Sequence, residues 1–184
     1  GHTDATGTSA RFKTPSGMTT DGTNLYVADR HNYKIRKIVI STGAVTTLAG
    51  SSSGYTDATG TSATFKNPKG ITTDGTNLYV ADTNNHMIRK IVIATGAVTT
   101  FAGSTSYGST NATGTSARFY YPRAITTDGT NLYVADTSNH KIRKIVISTG
   151  AVTTLAGSTS GSTNATGTSA RFKNPRGITT DGTN

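Results

Sequence analysis

Cysteine is absent from this chain of 184 residues, which excludes disulfides and thiolate metal sites. Glutamate and tryptophan are absent too, so all nine acids are aspartates. No G-x-S-x-G, phosphate-cradling loop or cysteine nucleophile occurs, and no catalytic residue is expected. No apolar run approaches the roughly 20 residues needed to span a membrane, so no membrane insertion is expected. Apolar residues make up only 33 % of the chain and aromatics 7 %, which leaves little for one large core.

Threonine, serine and glycine fill the gap. β-Branched threonine suits pleated strands and glycine suits turns, so the composition favours short strands over helices. The net charge is +9. The aspartates stand in turn-like contexts and leave the lysines and arginines as free surface charge, a balance that points toward acidic partners.

One phrase recurs: "NLYVADRHNYKIRKI" at 24–38, "NLYVADTNNHMIRKI" at 77–91 and "NLYVADTSNHKIRKI" at 131–145. Pro15, Pro68, Pro122 and Pro175 set the period at 53, 54 and 53 residues, with Tyr107 the extra one. A period of this size signals a repeat architecture. The repeats run over 1–53, 54–107, 108–160 and an incomplete 161–184. "GHTDATG" at the start matches "GYTDATG" at 54–60, so the chain reads as opening and closing within a repeat.

Within a repeat, turn signals separate four short β-rich runs, expected near 70–73, 78–82, 87–93 and 97–103. That is an antiparallel meander followed by a longer linker. In the third run Ile88, Lys90 and Val92 point one way and Arg89, Ile91 and Ile93 the other. Both faces carry apolar residues, so each sheet needs a neighbour on both sides. The fold class expected is all-β, a β-propeller with three four-stranded blades and the first strand of a fourth. A stacked solenoid is the alternative. The first strand, small in side chain, belongs at the crowded axis.

The pattern "P-x-G-I-T-T-D-G-T-N-L-Y-V-A-D-x-x-N-H-x-I-R-K-I" closely resembles the NHL repeat, with Asn85-His86 and Asn139-His140 at the signature place. The first copy, Asn32-Tyr33, keeps only the asparagine, and no copy keeps the third letter. The linker "TDATGTSARF" resembles that of secreted or surface bacterial proteins of this family. The resemblance implies a ring of roughly six blades, a binding or scaffold role and an extracellular or cell-surface location. It also admits RNA binders and a few metal-dependent lyases. A ring holding three blades would expose an apolar face at each end, so the partners expected are a protein or further copies of this chain.

The aspartate closing the second run recurs as Asp29, Asp82 and Asp136, and the asparagine three residues on as Asn32, Asn85 and Asn139. Their expected role is to fix the turn into strand three. The histidines lack a carboxylate at ligand spacing, so no metal or other cofactor is expected. Asp4 and Asp57 become Asn111 and Asn164, an exchange that suits a loop-shaping role better than calcium binding. Nine of the eighteen cations fall in the linker and its approach to strand one: Arg11, Lys13, Lys66, Lys69, Arg118, Arg123, Arg171, Lys173 and Arg176. The other nine lie in or near the turn between strands two and three. Linker and turn should open on one face, near Tyr120 and Tyr121, giving a possible surface for nucleic acid or another polyanion. The competing expectation is that Arg36, Arg89 and Arg143 pair with the turn aspartates.

Overall fold

The structure, a computed structural model, describes residues 1–181. It is all-β, with three separate four-stranded antiparallel sheets. Blade one comprises β1 (Pro15–Thr20), β2 (Asn24–Asp29), β3 (Lys34–Val39) and β4 (Val45–Ala49). Blade two comprises β5 (Pro68–Thr73), β6 (Asn77–Asp82), β7 (Met87–Val92) and β8 (Val98–Gly103). Blade three comprises β9 (Pro122–Thr127), β10 (Asn131–Asp136), β11 (Lys141–Val146) and β12 (Val152–Ala156). The strands fall within two residues of the expected runs. In each sheet they pair in chain order, as a meander must.

The first tight turn shows why the meander is local. Asp74 accepts the amides of Thr76 and Asn77 on one oxygen and the Tyr79 hydroxyl, at 3.0 Å, on the other. Gly75 supplies φ of +90°. The second turn differs from a simple hairpin. It is one 3-10 turn, Thr83–Asn85, closed by His86 in the left-handed region at φ 60°.

The core lies between the blades rather than within them. Tyr26, Ala28 and Ile35 of blade one face Ile71, Leu78, Val80 and Ile91 of blade two. Tyr79, Ala81 and Ile88 repeat that packing against Ile125, Leu132, Val134 and Ile145 of blade three. One phenylalanine from the intervening linker fills each interface: Phe65 in the first and Phe119 in the second, both fully buried. Dispersion and area burial together make such stacking the main stabilising term.

The innermost strands β1, β5 and β9 pack side by side at the axis. Their approach is backbone to backbone. A Cβ on Gly17 would sit 2.4 Å from the Lys69 carbonyl, and one on Gly70 would sit 2.7 Å from that of Arg123. The expected spare inner strand at 176–184 forms no ladder over 176–181, since no second strand stands beside it among the described residues; positions 182–184 lie outside them.

The linker corrects the sequence reading most. It was expected to be only a connecting loop. In each repeat it lies along the outer strand of the blade that follows it. Ala58 accepts the Val98 amide, and Thr59 bridges Ala97. The outer edge of each blade is thereby capped, which removes an open edge from solvent.

Candidate functional site

Three buried arginines organise the repeated polar residues. In blade two, Asp82 accepts the Lys66 amide at 2.7 Å, the Asn85 side-chain amide at 2.8 Å and Arg89 at 3.0 Å. Arg89 also donates to the linker carbonyls of Thr64 and Thr56 and to Asp57 at 2.6 Å. Four of its five N–H donors are thus spent, and its Nε is buried without a partner. The guanidinium lies 5.1 Å from the Phe65 ring centroid, over its face. Asp29, Asn32 and Arg36 repeat the arrangement in blade one, and Asp136, Asn139 and Arg143 in blade three.

This network adds to the role expected of the aspartates and asparagines, which also bond to one another across the turn into strand three. None of the aspartates caps its own turn. They bind an amide sixteen residues upstream, and each asparagine reaches the linker further back: Gly1, Gly54 or Gly108. Asp4 and Asp57 are likewise not local loop formers. Each joins an arginine to Thr47 or Thr100 on the last strand, and Asn111 does the same for Arg143 and Thr154. An uncharged oxygen suffices there because a carbonyl oxygen can accept both bonds. Burial pushes the Asp82 carboxyl up to about 6, against the pull of Asn85, the Lys66 amide and Arg89. Asp136 moves the same way for the same first cause.

The nine linker cations scatter into different roles. Lys13, Lys66 and Lys173 are exposed; the Lys13 and Lys66 amides, not their amines, bind the aspartates at the ends of strand two. Arg118 folds back on the Thr115 and Ala117 carbonyls. Arg11 and Arg171 are exposed, the latter lining a groove of its own linker. Lys69, Arg123 and Arg176 take the second position of successive strand-one segments, around the axis. Arg30, assigned by sequence to the turn, joins them, because each turn abuts the next strand one: Thr137, its equivalent in blade three, donates to the Pro175 carbonyl at 2.7 Å.

The tyrosines divide sharply. Tyr26, Tyr79 and Tyr133 belong to the repeated phrase and donate to Asp21, Asp74 and Asp128 in the turn between strands one and two. Tyr33 closes a turn at φ 58°. The remaining four, Tyr55, Tyr107, Tyr120 and Tyr121, break the repeat, and all gather about His86. Tyr107 stacks on Tyr120 at 4.6 Å and Tyr120 on Tyr121 at 5.1 Å, while Tyr121 meets His86 edge-on at 4.7 Å. Tyr55 and Tyr107 are 60 % and 66 % exposed. Beside them opens a cleft of about 470 Å³ lined by Tyr55, Lys66, Asn84, His86 and Tyr121. His86 accepts the Tyr121 amide on Nδ1 at 3.2 Å, which stitches blade two to the next linker. Burial, helped by Lys66, holds its pKa below the ordinary histidine value. Among the described residues no three His, Cys, Asp or Glu side chains gather as a metal site. Sequence reasoning noted Tyr120 and Tyr121 but missed Tyr55, whose signal was its departure from the other copies.

No family model matches the chain. It is 33 % identical over 163 residues to human NHL repeat-containing protein 2, covering 79 % of this chain and 22 % of that protein. The chain therefore spans about a fifth of the length of that curated relative. An auxiliary nutrient binding protein from Bacteroides ovatus superposes with a TM-score of 0.71 at 18 % identity, covering 93 % of this chain and 44 % of that one. Virginiamycin B lyase from Staphylococcus aureus gives 0.50 at 21 % identity, covering 76 % and 40 %. At these identities the structures show a shared fold.

Two outcomes follow from the buried groups. Asp82→Ala strands the Arg89 charge and should cost about 3 kcal/mol in urea unfolding. Adding Arg89→Met should recover part of that loss, so the two effects should be less than additive. Equal, additive losses would show that the pair is not the coupling element. For His86, the fold disfavours protonation, so its contribution is intact above the unfolded value of about 6.5 and is lost as pH falls below it. His86→Asn tolerates the positive φ but cannot titrate. The wild type should lose melting temperature relative to this variant between pH 7.5 and pH 5.

Proposed function

The chain belongs to the NHL-repeat β-propellers, and from that premise we propose that it is a non-catalytic binding module that docks a protein partner through the tyrosine cleft. The observation that carries this reading is the gathering at one cleft of Tyr55, Tyr107, Tyr120 and Tyr121, four of the five tyrosines that break the repeat; the fifth, Tyr33, closes the turn of blade one. In near-identical repeats, a residue shared by all blades serves the blade, whereas specificity must come from positions that differ. Exposed tyrosines supply large amphipathic contact area at low entropic cost. The repeated aspartates and arginines are spent on one another, which leaves them poor candidates for acid–base work. The fold shared with a nutrient binding protein supports a binding role; the likeness to a lyase, at 21 % identity, is one of fold alone. The likeness of "TDATGTSARF" to linkers of exported proteins supports a place outside the cell or on its surface.

Selection of a displayed random-peptide library on the immobilised chain tests the cleft. Enriched peptides should bind the wild type and lose about tenfold or more on Tyr107→Ser/Tyr121→Ser, as expected of interface anchors. Retained binding in a folded double variant would move the contact elsewhere.

A second reading has its own observation. The face of blade one presents Phe12, Pro15, Met18, Val27 and Ile38 around an apolar hollow, with Met18 63 % exposed. The same positions in blade two, Phe65, Ile71, Val80 and Ile91, are covered by blade one. Because the blades are near-identical, a blade from a second copy has the right shape to cover that face. Light scattering on the 184-residue chain should therefore show association. A monodisperse monomer would remove this reading and leave the cleft untouched.

A further inference from the structure

Arg30, Lys69, Arg123 and Arg176 converge at one end of the propeller axis. The second residue of strand one is Lys69 in β5 and Arg123 in β9, and Arg176 holds the same place in the fourth copy. The tight backbone contacts of Gly17 with Lys69 and of Gly70 with Arg123 make these positions neighbours around the axis. Arg30 holds the place in blade one that Thr137 holds in blade three, where that position bonds to Pro175 of the next strand-one segment. No ion pair among the described residues reaches any of the four. Among the described residues no side-chain hydrogen bond to them is made either, and the Arg30 Nε is buried without a partner. Asp29, beside Arg30, is fully buried and bound to Arg36, and Asp74 and Asp128, five residues after Lys69 and Arg123, are engaged by the amides and tyrosine hydroxyls of their own turns.

Packing four cations together without a counterion is unfavourable unless something negative visits. The strain is visible on Lys69. Burial, then Arg123, Arg30 and Arg176, bring its amine down to about 8. Arg123 is pushed down by burial and by Arg176 and Arg30. These are the groups that an oxyanion would relieve. Guanidinium forks match paired oxygens in bidentate fashion, and an ammonium adds a point charge.

We propose that the axial cluster of Arg30, Lys69, Arg123 and Arg176 is a binding site for a compact, multiply charged phosphate ester or anhydride. The site is separate from the tyrosine cleft and does not depend on it. Four cations call for a ligand of several charges, and their confinement to the axis calls for a compact one. The chemistry is that of a di- or triphosphate group, free or at the end of a larger molecule.

Isothermal titration with inorganic pyrophosphate at about 0.15 M salt is the test. One saturable site is expected. Lys69→Gln/Arg123→Gln should weaken it about tenfold or more, the scale of one lost bidentate charge contact. Lys13→Gln/Lys173→Gln removes as much charge from the outer positions and should leave it nearly unchanged. Relief of the cluster should hold the two axial substitutions at or above the wild-type melting temperature, which guards against misfolding. At pH 8 the wild type should take up protons on binding, read from the heat in two buffers of different ionisation enthalpy. Lys69→Arg should bind pyrophosphate without that uptake. Absence of saturable binding, equal weakening by both pairs, or proton uptake that persists in Lys69→Arg would each overturn the proposal.

Discussion

A guanidinium that cannot lose its proton, buried on an inner strand of its sheet, is the constraint on which each repeat turns. Arg89 is fully enclosed, so its charge must be matched from within. Asp82 and Asp57 supply the charge, and the linker carbonyls supply the remaining acceptors. Three separate stretches of chain are thereby drawn to one point: the end of strand two, the middle of strand three and the linker before strand one. The linker position in turn brings its phenylalanine into the blade interface and its backbone along the outer strand. A hydrophobic residue in place of Arg89 would fill the space but would not call the linker in. The pair thus contributes geometry as much as stability.

Much of this was legible in the chain itself. The 53-residue period, the turn signals and the two apolar faces of strand three lead to stacked meander blades, and the interfaces lie where those faces point. The expected pairing of Arg36, Arg89 and Arg143 with Asp29, Asp82 and Asp136 is also present; what sequence could not give was the reach of these residues to the linker. Asp82 and Asn85 look like turn formers because their side chains are short and stand at a turn. Their partners lie sixteen and thirty-one residues upstream, and only the folded linker shows that. The axial cations were hidden for a related reason. Lys69 and Arg123 stand in one repeat position, but Arg30 joins them across a blade boundary that no local pattern marks. Tyr55 was overlooked because its neighbours in the cleft, Lys66, His86 and Tyr121, are distant in sequence.

Repetition sharpens the division between scaffold and surface. Every copy of the arginine hub does the same work, so the copies have little room to differ. The positions where they differ include the linker tip, the residues before strand one, the second residue of strand one and the turn between strands two and three. All of these open on the face carrying the turns between strands two and three. Tyrosines occupy one junction on that face and cations occupy its centre. The same scaffold thus offers two chemically distinct places for contact without altering a blade.

Each linker also carries a direction. Phe65 and Phe119 come from the repeat that follows an interface, and they seal the blade that precedes it. Phe172 already lies against Gly157 of blade three in the same manner, before any fourth sheet is present. The two flanks of the three-blade unit are therefore unlike: one offers a receptacle and the other a plug. Energetically this is a one-dimensional lattice with a polarity, in which every added repeat contributes one like-sized interface term. Such a lattice predicts that melting temperature climbs with repeat number and levels off. It also predicts that fraying begins at the plug flank, where Phe12 of blade one has no preceding blade to seal.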